Sequence, residues 1–119
     1  MGFYHFRQNN SGGNFIFDAT RGLSVHVIVE GDGIDEVNFR ANKIGLYFDG
    51  CDYGIDCDCC GDRWSRPIDE LDCKPMVYGD PVNGNEPCPK DGFMRWGAKA
   101  GSPEGYIHYK CGTISPFWI

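Results

Sequence analysis

The sequence lacks any stretch suited to a membrane. Its longest apolar run, around Val25 to Val29, falls far short of the roughly 20 residues a spanning helix needs. The opening Met1-Gly2-Phe3-Tyr4-His5-Phe6-Arg7 has no charged-then-apolar run and no cleavage signature, so no signal peptide is expected. Phe6 stands where N-myristoylation requires Ser or Thr. The expectation is a cytosolic protein with no membrane partner. Basic residues are also scarce, with 11 Lys plus Arg against 17 Asp plus Glu and a formal net charge of −6. That balance argues against a duplex nucleic acid partner, which selects for a basic face. There is no P-loop, no GxGxxG, no HExxH and no nucleophile elbow. Aliphatic residues nearly vanish between positions 49 and 73, so that segment cannot build a core of its own.

Glycine and proline, in contrast, are plentiful, at 17 and 7 of 119 residues, which predicts many turns and little helix. Apolar residues at 41% and a length that fits one compact domain complete an ordinary globular profile. The alternation in Phe3–Arg7 predicts a strand, followed by a polar, glycine-ended loop and an extended segment at 15–18. Leu23–Val29 is the clearest strand, with Leu23, Val25, Val27 and Val29 on one face. Ile34, Val37, Ala41 and Ile44 recur at helical spacing, with Asp32 as the expected N-cap and Gly45 as the C-terminal cap. Leu46-Tyr47-Phe48 reads as the next strand, lying in one sheet with the first and covered by the helix. Met76-Val77-Tyr78 is a short apolar step, and Asn83-Gly84 a turn. Order is expected again at Phe93–Trp96, and at a hairpin over Tyr106–Ile114 with Cys111-Gly112 at its tip. The fold class expected is α+β: one domain over 1–119, mostly antiparallel sheet, one helix at about 34–44 packed on it, and a Cys-rich loop at 51–75.

Seven cysteines in a reducing compartment read as thiols or metal ligands before disulfides. Cys57-Asp58-Cys59-Cys60-Gly61 contains the Cys-x2-Cys-Gly spacing of a zinc knuckle, whose turn aims backbone N–H groups at the first sulfur. Cys51 is the natural third ligand. The fourth is open among Cys59, Cys73, Cys88 and a histidine. The expected cofactor is a structural zinc ion, stapling a segment too poor in apolar residues to order itself. Asp49, Asp52, Asp56, Asp58 and Asp62 do not fit a calcium loop and read as solvated turn residues.

Arg7-Gln8-Asn9-Asn10-Ser11-Gly12-Gly13 concentrates donors and acceptors in one loop. Arg7 suits a phosphate or carboxylate, the amides suit polar edges, and the glycine N–H groups allow close approach. Read without a ligand, it is a hairpin loop rich in turn formers. His5, His26 and His108 fall in three strand-like stretches and are ordinarily packed residues. A His/Asp or metal-dependent hydrolase is the weakest of the readings, since no nucleophile motif accompanies them.

Phe6-Arg7-Gln8-Asn9-Asn10-Ser11-Gly12-Gly13 together with Cys57-Asp58-Cys59-Cys60-Gly61-Asp62-Arg63-Trp64 resembles a family of small proteins encoded by tailed bacteriophages, over about the first half of the chain. The resemblance implies a viral protein working in the host cytosol and brings no catalytic residues. A short acidic protein in that setting is expected to bind rather than catalyse. One expectation is capture of a small nucleotide-type ligand by residues 7–13, with Tyr4, Trp64 or Trp96 stacking on a base. The alternative is a protein–protein inhibitor whose acidic surface masks a host defence enzyme.

Overall fold

A computed structural model describes residues 2–9, 16–56, 61–65, 76–77, 80–81 and 104–117. Strand β1 (Gly2–Arg7) is followed by β2 (His26–Gly31), helix α1 (Ile34–Ile44), β3 (Met76–Val77), β4 (Asp80–Pro81), β5 (Gly105–His108) and β6 (Ile114–Phe117). The main sheet runs β1-β2-β5-β6. β1 and β2 are antiparallel, with Gly2 opposite Gly31 and Arg7 opposite His26. β2 and β5 are parallel, and β5 and β6 antiparallel. β3 and β4 form a separate two-stranded ladder. The fold is α+β, a mixed sheet with one helix packed on it.

A parallel pair needs a crossover, and here it begins with α1 and ends only at β5. The Cys- and Asp-rich segment therefore sits inside the crossover and not at its margin. The helix covers one sheet face. Val37 and Ala41 join Tyr4, Phe6, Val27, Val29, Leu23, Leu46, Phe48 and Trp64 in a single buried cluster. On the other face Phe3, Ile28, Ile107 and Phe117 form a second buried cluster. The two faces follow from period-2 alternation along β1 and β2. At the centre of the sheet Gly105 is required by close approach. A Cβ there would enter the Phe117 ring and lie 2.8 Å from the His26 carbonyl.

The helix has the expected bounds, with Asp35 and Glu36 in its first turn and Lys43 in its last, as its dipole favours. Gly45 closes it through N–H bonds to Ala41 O and Asn42 O. At the other end the expectation fails. Gly33 is the N-cap, without a side-chain cap bond, because the Asp32 carboxylate is drawn to Lys110 on the β5–β6 hairpin.

Two strands are also corrected. β2 begins at His26 and not at Leu23: the Gln8 N–H still donates to Val25 O at 2.7 Å, and before it the Gln8 side chain takes the Ser24 carbonyl at 3.0 Å. Leu23 instead bridges Asp18. Leu46–Phe48 is not a strand. The Leu46 N–H turns back to Ala41 O at 3.0 Å, a Schellman-type closure. Leu46 and Phe48 then enter the core while the half-buried Tyr47 packs beside it and bonds Asp56. The alternation there reflects burial without a neighbouring strand. The C-terminal hairpin is as expected, with the Gly112 N–H on Tyr109 O and the Tyr109 N–H on Thr113 O, both at 2.9 Å. Phe93–Trp96 and Asn83-Gly84 lie outside the described residues.

Candidate functional site

The two stretches that stand out in the sequence meet at one buried joint. Gln8 follows directly on β1 and is completely buried. Its Nε2 donates to Ile16 O and Ser24 O, each at 3.0 Å. Its Oε1 accepts from Ile16 N at 2.6 Å and from Arg63 Nη1 at 2.9 Å. Every polar atom of that amide is engaged inside the protein. Asn9 continues the seam, its N–H donating to Arg63 O at 2.8 Å and its Nδ2 to Asp62 O at 3.4 Å. The adjacent Trp64 is 1% exposed and packs in the cluster that holds Phe6. Tyr4 belongs to the same core, so neither ring is available to stack on a ligand; Trp96 lies outside the described residues.

A second carboxylate-centred network secures the cysteine segment. Asp56, whose side chain is 2% exposed, accepts from Tyr47 OH at 2.8 Å and from Arg63 N at 2.8 Å, with the Arg63 guanidinium 4.0 Å away. Asp62 accepts from Cys51 N at 2.9 Å. These two are not the solvated turn residues the sequence suggested. In a segment nearly without aliphatic side chains, carboxylates bonded to backbone N–H groups supply the order that a core would. The geometry is tight at Gly50, where any Cβ would run into the Asp56 carboxylate and lie 2.9 Å from the Tyr47 ring.

Among the ligand-loop residues, Arg7 is exposed at the end of β1, while Gln8 and Asn9 form the joint. Asn10, Ser11, Gly12 and Gly13 lie outside the described residues. Of the metal candidates, Cys51 is described, beside Asp62. Cys57, Cys59 and Cys60 lie outside the described residues. Among the described residues no group of three or more His, Cys, Asp or Glu side chains is arranged to hold a metal ion.

Two of the three histidines come together. His5 Nε2 and His26 Nδ1 are 2.8 Å apart, with ring centroids at 5.0 Å. One ring donates and the other accepts. Burial first, then the Arg7 charge, lowers the His5 pKa to about 4. Burial, the neighbouring His5 and Arg7 lower that of His26 to about 3. Both rings are therefore neutral at pH 7, and Arg7 carries the positive charge of this corner. His108 is elsewhere, paired in register with Val29 and bonded through Nε2 to Gly22 O at 2.8 Å.

A model of the family described as a domain of unknown function, DUF7296, matches residues 1–118. The chain belongs to this family. No curated protein and no solved structure matches it. Among the described residues no helix is long and apolar enough to cross a membrane.

Proposed function

We propose that this DUF7296 protein is a non-catalytic binding module that captures a small nucleotide-type ligand at the polar loop following β1. The observation that carries the reading is the Gln8–Arg63 joint. It gives the loop that begins after Asn9 and the cysteine segment that ends before Gly61 one buried, hydrogen-bonded base. Long polar loops bind with less entropic cost when their ends are fixed. Arg7, exposed beside two neutral histidines, supplies charge for a phosphate or carboxylate. The resemblance to phage proteins favours a nucleotide-derived defence signal of the host as the ligand class, encountered in the host cytosol.

A structural zinc ion belongs to the same reading, held by Cys51, Cys57 and Cys60, with the fourth position open to Cys59, Cys73 or Cys88. The Asp62 carboxylate on Cys51 N supports Cys51 as the third ligand, because it keeps Cys51 beside the end of the knuckle. His5 and His26 are bonded to each other and His108 to Gly22, which favours cysteine over histidine for the fourth position. Zinc would draw four thiolates together and replace the missing apolar core.

The test compares small molecules released from wild-type protein and from Arg7→Ala after gentle purification from infected or expressing cells. A nucleotide-type compound released by the wild type and absent from the variant is expected. The same compound in both, or none in the wild type, overturns the reading, and the second result directs attention to capture of a host protein.

A further inference from the structure

A separate pocket lies at the opposite edge of the sheet, between the C-terminal half of α1 and the β5–β6 hairpin. Its volume is about 210 Å³, and Arg40, Lys43, Ile44, Tyr109, Thr113 and Ile114 line most of it. In a chain of net charge −6 this lining carries two cations and no carboxylate. His108, which also lines it, is kept from adding charge by burial.

Among the described residues, acidic neighbours do not consume the cations. Arg40 donates to the backbone carbonyls of Glu30 and Tyr109, so its position is fixed, and among the described residues no carboxylate pairs with it. Lys43 Nζ lies 4.6 Å from the centroid of the exposed Phe39 ring. Among the described residues neither forms an ion pair. The nearby acids are engaged by Lys110 instead, Asp32 and Glu36 through its Nζ and Glu30 through its N–H. The C-terminus of α1 opposes an anion with about half a charge, which two full cations outweigh. Ile44 and Ile114 supply apolar wall, and the Thr113 hydroxyl a polar point.

Size then selects the ligand. About 210 Å³ is below the roughly 300 Å³ at which drug-sized pockets begin and somewhat above the roughly 150 Å³ that accommodates benzene. A whole nucleotide would extend beyond it. We propose that this pocket binds a compact monoanion with an apolar body, of the size of an aromatic carboxylate, with Arg40 and Lys43 on the anionic group and Ile44 and Ile114 on the apolar part. This site is independent of the polar loop.

The test is a ¹⁵N-resolved NMR titration of the full chain with benzoate, and separately with benzyl alcohol, a neutral analogue of similar shape. Benzoate is expected to shift the Lys43, Gly112, Thr113 and Ile114 amides and to bind about tenfold more weakly to Lys43→Glu. Benzyl alcohol is expected to leave those amides unmoved. Raised salt should weaken benzoate binding to the wild type, a reading that does not depend on any variant folding. Equal shifts from the alcohol, benzoate shifts confined to other residues, unchanged binding by a well-dispersed Lys43→Glu, or indifference to salt would each overturn the proposal.

Discussion

Arg63 Nη1 donates to Gln8 Oε1 at 2.9 Å across 55 positions of sequence, and both side chains are buried. With the Asn9 bonds to Arg63 O and Asp62 O, it joins the end of β1 to the segment that follows the cysteine knuckle. It makes two motifs that look unrelated in the sequence into parts of one unit.

Replacing Gln8 with Ala removes an amide that serves Ile16, Ser24 and Arg63 at once. Buried groups left without partners cost about 1–3 kcal/mol each. Local rearrangement and water will recover part of that. A loss of about 3 kcal/mol in urea-induced unfolding is expected, against less than 1 kcal/mol for the exposed Arg7→Ala.

Asp56→Ala removes the carboxylate 4.0 Å from the buried Arg63 guanidinium and takes the acceptor from the Tyr47 hydroxyl and the Arg63 N–H. Breaking such a pair from one side costs about 3–5 kcal/mol. Gly50→Ala should disturb the same contact sterically. Because the two changes act on one cluster, their effects on unfolding free energy should be markedly less than additive in the double variant.

The histidine pair sets an acid limit. Folding lowers both pKa values, to about 4 and about 3 from 6.5, so the unfolded chain takes up protons first as pH falls. The contribution of the neutral pair is complete above pH 6.5 and is lost progressively as pH falls towards 3. At about 1.4 kcal/mol for each pH unit and group, each histidine should cost roughly 2 kcal/mol between pH 7 and pH 5. Urea midpoints across that range measure this. Flat midpoints would show that the rings are not buried as described.

Zinc removal supplies another prediction. Chelation should lower the melting temperature of the wild type and leave a Cys60→Ser variant, already metal-poor and less stable, nearly unchanged. Equal melting of metal-free and zinc-loaded wild type would remove zinc as a staple.

The helix and its surroundings were legible because their signals are local. Ile34, Val37, Ala41 and Ile44 give the period, and Gly45 gives the stop. The C-terminal hairpin was legible from Cys111-Gly112 for the same reason. What escaped depends on contacts distant in sequence. The position of Asp32 suits a cap, but Lys110 on another element takes its carboxylate. The polar neighbours of Asp56 suggest a solvated residue, and only the fold brings Tyr47 and Arg63 to it. Gln8 looked like a ligand-binding amide. The only hint of its structural role is its position directly after an alternating strand, where a buried amide can replace a missing ladder bond. The parallel pairing of β2 with β5 had no sequence signal, since the crossover between them runs through a long polar segment.

Native mass spectrometry of gently purified wild-type protein tests the central claim most directly. The account predicts the polypeptide mass plus one zinc ion, lost on acidification, and a further small mass that is absent from Arg7→Ala. A bare polypeptide mass would contradict both the staple and the capture of a small ligand.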